Sequence, residues 1–258
     1  MAETNTANDF KHYMTHENVW GYKKRFDTIL RTVEECAVGK KEFRIIDVGC
    51  GNGAMVAIPL AEHGYNVFGI DFDPISIDKA NELARNIPAK FAVGKASDFA
   101  DTKYDFVICS EVLEHVHEYN ALIDDLAALV KDDGTVFVTI PNGWGPYEIE
   151  RFIFVRSGLL TFPRWLRDKI KGRTSSYANS TENMDCGHVN FFTFNRMYNA
   201  LAKHFSIRRV HHTTLFSGAV SHILFKNNAA FLRWNSTVID KLPHAMSSGW
   251  YFVCSKKR

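Results

Sequence analysis

Phe43-Arg44-Ile45-Ile46-Asp47-Val48-Gly49-Cys50-Gly51-Asn52-Gly53-Ala54 decides the fold. FRIIDVG (43–49) is a short apolar run stopped by glycine and reads as a buried strand. AMVAIPLAEHG (54–64) reads as a helix closed by Gly64. Three alternate glycines lie between them. A plain strand-to-helix turn needs one. Three let the backbone turn sharply and let a ligand touch the main chain, with helix N-terminal N–H groups facing it.

Working outward, the same alternation repeats. NVFGID (66–71), KFAVG (90–94), YDFVICS (104–110) and TVFVTI (135–140) read as strands, the last entered through a turn at Gly134. Helices are expected at 19–38, 74–86 and 120–131. Strands alternating with helices imply a parallel sheet with right-handed crossovers. Runs such as IIDV and FVIC are apolar throughout, as in strands covered on both faces. Regularity breaks after Pro141, and residues 143–190 read as an inserted lid that binds the acceptor. Beyond it come a turn and helix in HVNFFTFNRMYNALAKHF, a strand at 207–216, a helix at 229–242 and a last strand at 250–256. The whole chain, 1–258, is expected to be one α/β domain with residues 1–40 as an N-terminal helical cap.

Composition narrows the function. With 31 Lys and Arg against 29 Asp and Glu, the formal charge of +2 gives no basic field that demands nucleic acid. The five cysteines are scattered without a CxxC pair, so neither a disulfide framework nor a structural zinc site is expected. The start MAETNTANDFKHYM has no basic-then-apolar leader. A cytoplasmic location is expected.

Two cofactor readings compete at the glycine turn. Gly49, Gly51 and Ala54 satisfy GxGxxG/A, and Asp71 follows at the spacing of a dinucleotide fold. Asp47, two residues before the first glycine, aims negative charge into the site. It would repel a pyrophosphate and attract an ammonium and a sulfonium, and S-adenosylmethionine carries both.

DVGCGNG resembles motif I of class I S-adenosylmethionine-dependent methyltransferases. Gly69-Ile70-Asp71-Phe72-Asp73 resembles their second-strand acidic motif, and Phe91 to Asp98 their third-strand segment. YDFVICSEVLEHV (104–116) is similar to their fourth strand and following loop, and the stretch from Lys131 through Ile140-Pro141-Asn142 to their fifth. The resemblance covers roughly 20–142 plus the terminal strand. It implies a Rossmann-like, doubly wound seven-stranded sheet whose last strand is antiparallel.

It also implies roles. Asp47, Gly49, Cys50 and Gly51 would form the cofactor turn, with Ser110 beside it. Asp71 would accept hydrogen bonds from the ribose hydroxyls and Phe72 would lie against the adenine. Ala96, Ser97 and Asp98 would hold the adenine edge, although Lys95 stands where the family often has an acid. S-adenosylhomocysteine would be the product.

For a hydroxyl acceptor, a base must take the proton. Glu111, Glu114 and His115 follow the fourth strand in an E-x-x-E-H arrangement similar to the ubiquinone-biosynthesis O-methyltransferases, where such residues can bind a divalent cation. Oxygen ligands would favour magnesium, but many relatives carry the pattern without metal, and none is expected here. His188, in CGHVNFFT (186–193), resembles a stretch of methyltransferases from polysaccharide and secondary-metabolite pathways. An imidazole there suits proton abstraction. His188, His115 and Glu111 are therefore the catalytic candidates. Of His211 and His212, only one can face inward from a strand, and both read as structural or surface groups.

The acceptor is read as a hydroxyl on a sugar, lipid-linked glycan or quinone-like small molecule. Residues 151–173 carry Arg151, Arg156, Arg164, Arg167, Lys169, Lys171 and Arg173 against one acid, Asp168, interleaved with aromatics. They read either as a solvated lid or as a surface for an anionic or lipid-linked acceptor and a membrane surface. The rival functions are a dinucleotide-dependent oxidoreductase and a cofactor-binding module without catalysis.

Overall fold

The computed structural model describes residues 16–146 and 188–257. The core of the 143–190 insertion and the basic stretch 151–173 lie outside the described residues.

Seven strands form one sheet in the order β3-β2-β1-β4-β5-β7-β6. They are β1 (Arg44–Val48), β2 (Asn66–Asp71), β3 (Ala89–Val93), β4 (Tyr104–Ser110), β5 (Val130–Pro141), β6 (Phe205–His212) and β7 (Gly249–Lys256). β1 pairs in parallel with β2 and β4, β2 with β3, and β4 with β5. β7 is antiparallel to both β5 and β6. This is the sheet the motifs implied, with the last strand reversed. Strand order reverses between β1 and β4, the switch point at which doubly wound sheets open a ligand crevice.

The helices are α1 (Tyr22–Ala37), α2 (Ala57–Glu62), α3 (Pro74–Leu83), α4 (Tyr119–Leu129), α5 (Phe194–Leu201), α6 (Ala219–Phe225) and α7 (Ala229–Val238). α1 buries Phe26, Ile29 and Val33 on one sheet face with Ile45, Phe106, Phe137 and Tyr251. The other face packs Ile123, Leu126, Phe192 and Met197 against Val107, Val136 and Phe252. Covering on both faces explains the unbroken apolar strand runs.

Three of the boundaries that differ from the sequence reading have a local cause. α2 starts at Ala57 rather than at 54. Gly53 has φ +73° and the Asn52 side chain accepts from Ala54 N–H, so the chain completes irregular turns first. β5 begins at Val130, and Gly134 lies inside it: Tyr104 pairs with Val130 but Phe106 with Thr135, so a register shift absorbs the extra residues. β6 ends at His212, not at 216, because Asn235 draws the chain off the sheet. Its Oδ1 accepts from Phe216 N–H (2.7 Å) and its Nδ2 donates to Phe216 O (2.8 Å). α6 was not foreseen.

Candidate functional site

The three glycines of the turn all sit in the left-handed region, with φ of +73° at Gly49, +53° at Gly51 and +73° at Gly53. That is why three are present. Gly49 and Cys50 N–H both donate to Ile70 O, at 2.8 and 3.0 Å. Gly51 N–H donates to Asp71 Oδ2 at 2.8 Å, and Asp73 N–H to Asp71 Oδ1 at 2.9 Å. Asp71 therefore locks the turn to the end of β2, and each of its oxygens retains a second lone pair for a ligand. An added Cβ at Gly49 would stand 2.5 Å from Val112 Cγ2, whereas one at Gly51 would meet nothing within 4 Å. Gly49 thus seats the loop after β4, and Gly51 faces an open cradle.

Two buried carboxylates floor this cradle. Asp47 is 3% exposed and Asp71 7%. Burial, and after it the charge of Asp71, push the Asp47 pKa up to about 7, against the opposing pull of Arg25 and a backbone hydrogen bond from Ala57. A cation placed here relieves that penalty. Phe72, at the carboxyl end of β2, is 76% exposed and offers an open ring face. Beyond β3, Ala96 is buried while Ser97 and Asp98 are exposed. Asp98 Oδ2 accepts from Lys95 N–H at 2.8 Å, which spends part of its capacity on its own turn. Burial raises the Cys50 thiol, which keeps it protonated. These expected cofactor residues all lie at the carboxyl edge of β3, β2, β1 and β4.

The loop after β4 holds the expected catalytic groups. Glu111 adopts φ +57°, the only positive value at a non-glycine among the described residues. Thr139 Oγ1 donates to Glu111 Oε1 at 2.7 Å, so Ser110 Oγ–H must donate to Thr139 Oγ1 across their 3.0 Å contact. Arg25 Nη1 lies 3.8 Å from the same Glu111 oxygen. Glu111 is thus committed to Thr139 and Arg25. Glu114 is 1% exposed, and its Oε2 has no hydrogen-bond partner among the described residues. Burial, then the charge of Glu111, hold its pKa well above the usual carboxylate range.

His188 is brought to this loop by backbone pairing. Val189 and Asn190 N–H both donate to Glu114 O, at 2.9 and 3.0 Å, and Asn190 Nδ2 donates to Val116 O at 2.7 Å. The rings of His115 and His188 then meet edge to face at 5.2 Å. One ligand atom each from Glu114, His115 and His188 falls within a mutual 4.8 Å. The group fitted to a divalent cation is therefore one carboxylate and two imidazoles, with Glu111 outside it. That donor set is softer than the oxygen ligands magnesium prefers.

Sequence reasoning missed Arg25. It is 9% exposed, with its guanidinium 5.2 Å from the Tyr22 ring centroid. Four residues before Ile29, it lies on the buried face of α1, and that phase was the available signal.

The comparisons with known proteins agree with this geometry. A family model described as methyltransferase domain matches residues 11–204. The chain belongs to this family. Two curated relatives are ubiquinone biosynthesis O-methyltransferases. The one from Salmonella paratyphi A is 36% identical over 109 residues, 40% of this chain and 43% of that protein. The one from Rickettsia akari is 35% identical over 104 residues, 39% and 41%. The chain spans less than half the length of these relatives. The fold of this methyltransferase domain is shared with magnesium protoporphyrin IX methyltransferase from Synechocystis PCC 6803 with bound S-adenosylhomocysteine. The TM-score is 0.54 at 19% identity, covering 92% of this chain and 84% of that one. It is shared also with a [4+2]-cyclase, with a TM-score of 0.56, 16% identity and coverage of 93% and 87%, so the fold alone does not fix the reaction. The cofactor of the methyltransferase domain is S-adenosylmethionine, and the open, acid-floored glycine cradle fits its cationic methionine end.

Proposed function

We propose that the chain transfers the methyl group of S-adenosylmethionine to a hydroxyl oxygen of a small-molecule acceptor. The observation that carries this reading is that the pairing of Val189 and Asn190 with Glu114 O brings His188 to the loop after β4, the loop that Gly49 of the cradle seats. The bound cofactor supplies a sulfonium-activated methyl, whose S–C bond breaks as the C–O bond forms. In this reading Asp47 would attract the cofactor's charge, the turn at Gly49, Cys50 and Gly51 would let it approach the main chain, and Asp71 would hold the ribose. Phe72 would cover the adenine, Ala96, Ser97 and Asp98 would hold its edge, and Ser110 would contribute to the methionine site. His188 takes the acceptor proton, and His115 with protonated Glu114 orients its ring. Glu111, engaged by Thr139 and Arg25, shapes the loop rather than serving as the base.

Support for oxygen as the methylated atom comes from the O-methyltransferases among the relatives. The acceptor class is a sugar, a lipid-linked glycan or a quinone-like ring, with 151–173 as the contact for an anionic or lipid-linked one. No helix among the described residues is long and apolar enough to cross a membrane.

The test is methyl transfer from deuterium-labelled cofactor to panels of glycan, nucleotide-sugar and phenolic acceptors, read by mass. Transfer to oxygen with equimolar S-adenosylhomocysteine is expected. His188→Ala should cut the rate by roughly 10²–10⁴ without changing S-adenosylhomocysteine affinity. A methyl found on carbon or nitrogen, or an unchanged rate in His188→Ala, contradicts the reading.

A further inference from the structure

The carboxyl edge of the sheet carries a second cluster that the methyl-transfer residues do not use. β5 ends at Pro141, β6 ends at His212 and antiparallel β7 begins at Gly249, so all three meet at this edge. A cavity of about 400 Å³ opens there, walled by Asn142, Trp144, Phe194, His244 and Trp250. Its volume lies in the range of small-molecule sites. His244 lies flat on Phe194, with centroids 4.0 Å apart and planes 5° apart, and Trp250 meets Phe194 edge-on at 5.5 Å. Asn142 is spent on the fold: its Nδ2 donates to Ala245 O and Ser247 O, and its Oδ1 accepts from Trp144 N–H. His244 is the ionisable group of the wall.

His244 is held by a chain of partners from two other segments. Its Nδ1 lies 2.8 Å from His212 Nε2. His212 is 7% exposed, and its Nδ1 lies 3.8 Å from Asp240 Oδ1. Asp240 is itself held by Lys24 Nζ through both oxygens, at 2.8 and 3.0 Å. The charges around the pair assign its protons. Burial, and then His244, disfavour the charged form of His212. The Asp240 carboxylate favours a proton on His212 Nδ1, so His212 Nε2 accepts and His244 Nδ1–H donates. Nε2 of His244 is left with a lone pair.

We infer that this cavity is an acceptor subsite, which seats a ring lying beyond the methylated hydroxyl and receives a hydroxyl of that ring at His244 Nε2. The inference rests on the O-methylation reading and deepens it. β4, which carries the catalytic loop, and β7, which walls the cavity, are separated by β5. Two strand spacings are about 10 Å, too far for one ring to present its reacting hydroxyl at the loop and fill the cavity as well. The acceptor class is therefore a two-ring compound with a hydroxyl on each ring. Trp144, 70% exposed, offers a face that suits an aromatic ring or the C–H face of a sugar.

The experiment uses the full chain saturated with S-adenosylhomocysteine. Calorimetry compares hydroquinone, 4,4′-dihydroxybiphenyl and the aryl glycoside arbutin. At least one two-ring probe should bind about tenfold more tightly than hydroquinone, the scale of one added neutral hydrogen bond, and which of the two does so tells an aromatic from a sugar second ring. His244→Ala should remove that gain while leaving hydroquinone and S-adenosylhomocysteine affinity unchanged. His212→Ala should do the same, marking it as a positioning residue and not merely a structural one. Equal binding of all three probes, or a gain that survives His244→Ala, overturns the inference. If labelled cofactor methylates a hydroxyl but His244 has no effect on binding, the subsite falls and the methyl-transfer reading stands. If binding depends on His244 and no hydroxyl is ever methylated, the reading falls and the ring-binding site stands.

Discussion

Asp47 should couple cofactor binding to the release of a proton. Its carboxyl is buried beside Asp71, and its pKa rises from 3.8 to about 7. The folded state therefore binds more protons than the unfolded chain between about pH 4 and pH 7, so stability falls as pH rises through that window and levels off above it. At about 1.4 kcal/mol per pH unit, ionising Asp47 costs the cofactor-free protein up to about 4 kcal/mol. An ammonium and a sulfonium nearby favour the carboxylate and pull this pKa back down. Affinity for S-adenosylmethionine should then rise with pH, by up to tenfold per unit below pH 7. Calorimetry at pH 6 in two buffers of different ionisation enthalpy measures the protons released. We expect release approaching one proton in the wild type and close to none in Asp47→Asn. The same variant should lose the pH-dependent part of the stability difference when its melting is compared at pH 5 and pH 8. Affinity that is flat from pH 5 to pH 8, or equal proton release in wild type and Asp47→Asn, would refute the reasoning.

Further outcomes follow from the turn and the loop. Asp71→Ala unpairs the N–H groups of Gly51 and Asp73 and should weaken cofactor binding by about 1–3 kcal/mol; unchanged affinity by calorimetry would remove Asp71 from the site. Gly49→Ala drives a Cβ to 2.5 Å from Val112 and should cost about 1–3 kcal/mol of stability, read as a lower melting temperature; an unaltered midpoint would mean that the loop does not pack on the turn. Chelator should leave turnover unchanged. Loss of activity restored by a divalent cation would instead make Glu114, His115 and His188 metal ligands.

The nucleotide-binding half was legible because its signals are local. Each strand, glycine and strand-end acid is named by a few adjacent residues, and Asp47, Gly51 and Asp71 lie where the motifs put them. The helix after the turn was placed three residues early because nothing local marks how far Asn52 and Gly53 prolong the turn. The far half was less legible because its groups come from distant segments. Asp240 and His244 belong to two separate 3₁₀ turns and His212 to a strand end, and no spacing announces that they meet. Arg25 looks like any arginine on an amphipathic helix until its phase against Ile29 is counted. Glu111 could be picked out by its motif, but its commitment to Thr139 depends on the pairing of β4 with β5.

The central claim is that the cradle at the ends of β1 and β2 takes S-adenosylmethionine and not a dinucleotide. Parallel calorimetric titrations of the full chain with S-adenosylhomocysteine and NADH test it most directly, with Gly51→Val as the control. A valine there must adopt φ +53° and place its side chain in the open cradle. Saturable binding of S-adenosylhomocysteine that Gly51→Val abolishes, with no heat from NADH, is the predicted result. Saturable binding of NADH without S-adenosylhomocysteine, or tight S-adenosylhomocysteine binding that survives in Gly51→Val, would contradict it.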